Sequence, residues 1–338
     1  LVAEWLASMG FPTSKSGPSA RKWGAVGDAE CEALLESANT LDGKELAAQG
    51  FEPLTVGFAN RVCATQRHGQ PLVVKRHTDL ISLRLAPEAI GAVDSVAGEA
   101  GLGPRVLCSS RRGLVMERLE GRTLEEADMH NGDLPLLEAV AASLAKLHQL
   151  PVPKVSEGKP MLWRTVDKML EVVAQRPDIW PAKGMPALGP VLVEVMQAQQ
   201  ALASRQAKVV LGHGDFKPSH VVFHQGSARI IDFELAGPNY REFDLMKAFR
   251  TADKSFSDAS MRHFLGTYLA STGEACSKED VDALMAAARA FEPLTWLEAS
   301  VFFLTLPHFK PEETEKWHSL AVDRWAKFEE TKGFLQIN

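Results

Sequence analysis

Apolar positions along the chain change their period twice, and the changes divide it into three parts. Residues 1 to 50 are polar and alanine-rich, with a Pro/Ser/Gly patch from Phe11 to Ala20 that breaks any helix and reads as a loop. From Phe51 the period shortens to that of strands. Val62 to Thr65 and Leu72 to Lys75 are β-type runs joined by Arg67-His68-Gly69-Gln70, a hairpin signal with glycine in the turn. Pro87 to Ala100 carries Ile90, Val93, Val96 and Ala97 at helical spacing, and Gly101 follows as a C′ residue. Val106 to Cys108 and Gly113 to Met116 bracket Arg111-Arg112-Gly113 as a second hairpin. Residues 51–119 are thus predicted to form a small antiparallel sheet with one helix.

Beyond Gly121 the helical period takes over. Leu137, Val140, Leu144 and Leu147 share one face of a helix that stops at Pro151, and Val191 to Gln206 makes a second. Lys208 to Leu211 and Arg229 to Ile231 are short apolar strands beside polar loops, and Phe243 to Phe334 is again largely helical. The expected fold is therefore α+β and bilobal. A small antiparallel β-sheet lobe, residues 51–119, precedes a larger, mainly α-helical lobe, residues 120–338, and residues 1–50 form an unassigned N-terminal extension. No internal repeat or low-complexity segment points to a solenoid or propeller.

Composition narrows the function class more than the fold. The 338 residues are 45% hydrophobic and 24% charged, enough to bury a full core in two domains or one two-lobed unit. The formal charge of −6, with no block of like charge, argues against a nucleic-acid partner. The most apolar stretch near the end, Ala299 to Pro307, is far shorter than the roughly 18 residues of a membrane span. Cys31, Cys63, Cys108 and Cys276 are far apart without a CxxC pair, so neither a zinc cluster nor a disulfide framework is expected. That cysteine usage suits a reducing, cytoplasmic location. The chain begins with Leu rather than Met, and its targeting stays open.

Chemistry concentrates between Val209 and Glu234. An apolar strand runs into His213-Gly214-Asp215, then Phe216 to His220, the strand Val221-Val222-Phe223, and Ile230-Ile231-Asp232-Phe233-Glu234. Two carboxylates at two strand ends suit phosphoryl transfer. One orients the acceptor hydroxyl and takes its proton, a role for Asp215; the other holds Mg²⁺ against nucleotide phosphates, a role for Asp232. Taken singly, Asp215 would cap a turn and Asp232 would end a strand.

His213-Gly214-Asp215 followed by Asp232-Phe233-Glu234 resembles the choline/ethanolamine kinase family, within the aminoglycoside phosphotransferase-like and protein-kinase-like enzymes. Ile231 to Glu234 with Asn239-Tyr240-Arg241 and Phe243-Asp244 is similar to that family's signature after the catalytic loop. Gly57 to Asn60 with Lys75, Gly101 to Pro104, Glu117 to Leu124, Pro160 to Trp163 and Arg324 to Phe328 agree in order, so the resemblance covers about residues 51–335. It implies an ATP- and Mg²⁺-dependent kinase acting on the hydroxyl of choline or ethanolamine, in the supply of phospholipid precursors. Alternatives are a phosphotransferase for another amino alcohol, an amino sugar or an antibiotic, and a pseudokinase that binds nucleotide or a partner. A small-molecule amino alcohol is the expected partner, with homodimer formation open.

Carried over residue by residue, the resemblance makes Asp215 and Asp232 catalytic. It places the nucleotide against Gly57, Asn60 and Lys75, with Glu88 or Glu99 as the helix carboxylate holding Lys75. Glu117 and Leu119 fall at the hinge facing adenine. Glu234 and Asp244 become acceptor-site carboxylates, and Trp296 with Phe303 the aromatic faces for a cationic head. The chain departs from the family pattern in three places. His220 stands where an Asn metal ligand is expected, which counts it as a third catalytic residue and leaves Asp232 and His220 as the metal pair. Lys247 stands where a polar uncharged residue is usual, and would repel a cationic acceptor. The paired tryptophans expected near Trp296 to Phe309 are missing.

Overall fold

The alternating stretch that opens at Phe51 folds as a five-stranded antiparallel sheet, in a computed structural model that describes residues 28–38, 50–56, 60–130, 132–175, 183–205, 207–250 and 257–335. Its strands are β1 (Glu52–Val56), β2 (Asn60–Arg67), β3 (Gln70–His77), β4 (Val106–Ser110) and β5 (Gly113–Glu117), in the order β1-β2-β3-β5-β4. The β2–β3 turn is His68-Gly69, both with positive φ (49° and 73°), the twist a two-residue hairpin favours. The loop expected at Phe11 to Ala20 and the Gly57 position lie outside the described residues.

Two expectations for this lobe are corrected. The segment from Pro87 to Ala100 is not one helix. Pro87–Ala89 forms a 3₁₀ turn, Gly91 takes φ +76°, and only α2 (Ala92–Glu99) is α-helical. A left-handed residue cannot continue a right-handed helix, so the apolar period survives while the axis breaks. Cysteine spacing also misled. Cys31, on α1 (Asp28–Ser37), and Cys108, on β4, are joined by a disulfide although 77 residues separate them. Helix α1 packs on β3, β4 and β5, where Leu35 meets Leu72, Val74 and Val115 in one buried cluster, and that packing brings the two cysteines together.

The second lobe begins with β6 (Arg122–Thr123), α3 (Glu126–His130) and α4 (Leu134–Gln149). Helix α4 starts at Asp133, whose side chain accepts from the Leu136 N–H, and buries Leu137, Val140, Leu144 and Leu147 as its period predicts. After α5 (Met161–Ala174) and α6 (Leu188–Arg205) come two small antiparallel sheets. One pairs β7 (Val209–Gly212) with β10 (Gly237–Tyr240); the other has the order β6-β8-β9, with β8 (Val221–His224) and β9 (Ser227–Ile230). Helices α7 (Arg241–Phe249), α8 (Asp258–Thr272), α9 (Lys278–Arg289), α10 (Glu292–Phe309) and α11 (Thr314–Thr331) complete the chain. Two apolar cores result. One packs α4, α8 and α9 against the β8–β9 hairpin, the other packs α5 and α6 against α10 and α11. The polar loops between β7 and β10 emerge beside the sheet lobe. No helix of the described residues is long and apolar enough to cross a membrane.

Candidate active site

Strand β7 ends at Gly212 and delivers His213-Gly214-Asp215 into a turn held from beneath. Gly214 has φ +79°, and a Cβ there would lie 2.3 Å from the Leu235 carbonyl oxygen, so no other residue fits. Asp244, in the first turn of α7, accepts from the backbone N–H of His213 (2.6 Å) and of Gly214 (2.8 Å). The His148 Nε2–H donates to the same carboxylate at 3.1 Å, and the Tyr268 hydroxyl donates to His148 Nδ1 at 2.8 Å. His213 donates from Nε2 to the Ile231 carbonyl (2.9 Å), which ties the loop to the start of the second motif. The Asp215 backbone is therefore fixed by buried groups from α4, α7 and α8.

The Asp215 carboxylate faces two ammonium groups, Lys217 at 2.8 Å and Lys247 at 3.0 Å. Burial alone would raise its pKa; Lys247 and Lys217 outweigh burial and hold the carboxyl well below the usual range. Lys247 is buried in turn. Desolvation works against its charge, but Asp215 and Glu298, the latter also at 3.0 Å, raise its pKa. His220 donates from Nδ1 to the Asp215 carbonyl at 2.9 Å, which leaves the Nε2 lone pair 3.3 Å from an Asp232 carboxylate oxygen. Burial pushes the imidazole down to about 4 against the pull of both aspartates, so His220 is neutral near pH 7.

Asp232 adopts φ +70°, a left-handed conformation that strains a non-glycine residue by on the order of 1–3 kcal/mol. That turn aims its carboxylate at the sheet lobe, where the Lys75 ammonium from β3 pairs with it. Burial opposes the charged carboxylate, but the Lys75 ammonium keeps its pKa below the ordinary value. Glu234, two residues on, is also turned toward the sheet lobe. It pairs with Arg84, accepts from the Asn60 carboxamide and stands 3.6 Å from Lys75. Asn60 in turn holds His77 Nδ1 at 2.7 Å. Asp232 and Glu234 thus form a clasp between the lobes.

The structure redistributes several residues named from the sequence. Asn60, Lys75, Asp215, His220 and Asp232 converge as expected. Glu234 lies in the clasp rather than on the acceptor side, and Asp244 is wholly buried beneath the loop, so neither is an exposed acceptor-site carboxylate. Glu88 and Glu99 are exposed. The buried carboxylate of α2 is Asp94, whose pKa burial raises against the pull of the Lys75 charge, while the ion-pair partners of Lys75 are Asp232 and Glu234. Glu117 ends β5 with its N–H donated to the Arg105 carbonyl and its side chain 3.5 Å from Arg229, and half-buried Leu119 follows where the chain crosses between lobes. Trp296 is buried beneath Arg250 (4.6 Å), Lys327 (4.9 Å) and Arg324 (5.5 Å), and Phe303 stacks on Trp317. Sequence reasoning passed over Lys217, Arg84, Asp94 and Glu298 as site residues. Lys217 had a local signal in its position two residues after Asp215; the other three come from distant elements and had none.

A carboxylate flanked by cations, a second carboxylate one imidazole away and a lysine reaching across the lobes can align a hydroxyl with an anionic phosphate ester. Among the described residues no group of three or more His, Cys, Asp or Glu could hold a metal ion by itself. Asp232 and His220 offer one carboxylate and one imidazole nitrogen, a set that fits an ion also held by phosphate oxygens.

Human ethanolamine kinase 2 is 26% identical over 148 residues, 43% of this chain and 38% of that protein. The chain therefore spans under half the length of this relative. Human choline/ethanolamine kinase is 24% identical over 324 residues, 82% of this chain and 80% of that protein. The structure of Plasmodium vivax ethanolamine kinase superposes with a TM-score of 0.72 at 14% identity, covering 93% of this chain and 95% of that one, which shows the protein-kinase-like fold. Residues 50–286, enclosing the clasp, the Asp215 loop and α7, match the model of the phosphotransferase enzyme family, and the chain belongs to that family.

Proposed function

We propose that the protein is an ATP-dependent kinase that phosphorylates the hydroxyl of a small amino alcohol, ethanolamine or choline. The observation that carries this reading is the pairing of Lys75 with Asp232 across the lobes, beside an Asp215 carboxylate kept ionised by Lys217 and Lys247. Asp215 orients the acceptor hydroxyl and receives its proton as the new bond forms. A carboxylate so acidic is a weak base, which suits a loose transition state in which the proton leaves late. Lys75 and Lys217 supply positive charge on the phosphate side, and Asp232 with His220 would hold Mg²⁺. A bound divalent ion supplies charge neutralisation at the transferring phosphoryl group.

The test is ATP consumption by the purified protein with Mg²⁺ or Mn²⁺ in the presence of ethanolamine, choline or a panel of amino sugars. Turnover dependent on one amino alcohol is the expected result; turnover only with an amino sugar would move the assignment to that acceptor. Asp215→Asn should lower turnover by about 10²–10⁴-fold while leaving nucleotide affinity nearly unchanged. His220 favours a second reading, nucleotide binding without turnover, because it removes an oxygen ligand from the metal site. Nucleotide binding with no transfer to any acceptor under either metal would select that reading.

A further inference from the structure

Helix α1 backs the strand that carries Lys75. Successive residues of a strand alternate faces, so along β3 Leu72, Val74 and Arg76 face α1 while Lys75 between them points to the clasp. Leu35 of α1 is 0% exposed and reaches the backbone of that strand. A Cβ on Gly113 of β5 would stand 2.9 Å from Leu35 Cδ2 and would clash with the Lys75 carbonyl oxygen, so Leu35, Gly113 and the Lys75 backbone are stacked in contact. Arg76 donates to the Leu35 carbonyl at 3.0 Å, one of the last four carbonyls of the helix, where such partners are needed. Cys31, one helical turn before Leu35 on the same face, is joined to Cys108 of β4.

Without that bond the hold on α1 is slight. Ten residues make too short a helix to stand alone in water. Beyond Leu34, Leu35 and Ala38 in the buried cluster, α1 is fastened by exposed ion pairs, Glu30 with Arg67 and Glu36 with Arg112, of a kind worth little. The bond is open to attack from one side. Cys31 is 3% exposed, but Cys108 is half-buried on the edge strand of the sheet, with exposed Ser109 after it. Cys63 shares the cluster, yet the row Cys63-Val74-Val115-Cys108 crosses four strands and sets Cys63 about 14 Å from Cys108. Since the Cα atoms of Cys31 and Cys108 are 6.3 Å apart, Cys63 reaches neither. No thiol of this lobe opens the pair, which leaves an external one arriving at Cys108.

We infer that the Cys31–Cys108 disulfide is a redox switch on the nucleotide site. Oxidised, it keeps α1 seated behind Lys75 and the site competent to bind nucleotide; reduced by a dithiol, it frees α1, slackens β3 and weakens that binding. In the reducing step a thiolate of the dithiol attacks Cys108 Sγ, and Cys31 leaves as a thiolate that takes up a proton. The second thiol of the dithiol then displaces Cys108, so the protein gains two electrons and two protons and the dithiol departs as a disulfide. Coupling between two sites is reciprocal, so bound nucleotide favours the disulfide by the same factor. The inference rests on the nucleotide role proposed for Lys75 and adds its regulation.

The full chain is compared in three forms: oxidised, reduced with dithiothreitol, and carrying Cys31→Ser with Cys108→Ser. Hydrogen exchange should show α1 and β3 losing protection on reduction while α4 and α8 keep theirs. Calorimetric titration with ADP and Mg²⁺ should give an affinity about tenfold weaker in the reduced form, and the double variant should match that form and ignore dithiothreitol. Saturating ADP should raise, by about the same factor, the ratio of reduced to oxidised dithiothreitol at which half the pair is open, read by alkylation of the two cysteines. Protection of α1 and β3 unmoved by reduction, or equal ADP affinity in the oxidised and reduced forms, would overturn the inference. ADP binding in neither form would instead sink the nucleotide reading, and hydrogen exchange, which needs no ligand, would still show whether reduction frees α1.

Discussion

His220 sits with its Nδ1–H tied to the Asp215 carbonyl and its Nε2 lone pair facing Asp232. Two acceptors at 3.3 Å suit a shared cation, and imidazole prefers a softer ion than Mg²⁺. His220→Asn should therefore raise Mg²⁺-supported relative to Mn²⁺-supported turnover, and weaken Mn²⁺ binding measured by electron paramagnetic resonance. An unchanged metal preference would remove His220 from the metal site. His77 titrates in a different way. Burial, with Lys75 beside it, lowers its pKa from 6.5 to about 3 in the folded chain. Below pH 6.5 the unfolded chain binds a proton that the folded chain refuses, so this group subtracts stability as pH falls from 6.5 toward 3 and subtracts none above 6.5. Urea unfolding across that window should show a shallower pH slope for His77→Gln than for the wild type.

At the scale of elements, α7 and the β7 loop form one device. The loop's two leading N–H groups have no strand partner and are answered by Asp244, to which His148 also donates. Asp244→Asn puts an amide where one acceptor stood and should destabilise the protein by about 2–4 kcal/mol, read by chemical denaturation, with a fall in turnover larger than any change in nucleotide affinity. A variant as stable as the wild type would mean that the loop holds itself. Much of this element was legible in advance. His213-Gly214-Asp215 and Asp232-Phe233-Glu234 stand out at strand ends, and Phe243-Asp244 stands out through the resemblance to the family's signature. The direction of Asp244 did not, since one helical turn decides whether a carboxylate faces a substrate or a backbone. The broken segment from Pro87 to Glu99 was hidden for a related reason: apolar spacing reports which face is buried, and Gly91 changed the axis without changing the face.

At the scale of the molecule, the two lobes meet through charge. Lys75, Arg84 and Asn60 from one side meet Asp232 and Glu234 from the other, and binding of phosphates to Lys75 would compete with that clasp. The sheet lobe has a second fastening in the Cys31–Cys108 disulfide, which ties α1 to β4. In the absence of reductant, Cys31→Ser with Cys108→Ser should lower stability by about 2–4 kcal/mol, seen as a fall in melting temperature that added reductant reproduces in the wild type. A melting curve insensitive to reductant would show that α1 is held by packing alone.

What the sequence determined by itself was whatever depends on neighbours along the chain: the hairpins, the amphipathic helices, the order of the two lobes and the motifs that carry Asp215 and Asp232. Tertiary structure decided what depends on meetings between distant segments. Glu298, Arg84, Asp94 and the Cys31–Cys108 pair carry no local signal, because a side chain's role there is set by what packing brings within about 4 Å of it. Lys247 shows both sides. Its presence could be read from the chain, but that it bridges Asp215 and Glu298 follows only from α10 lying against α7.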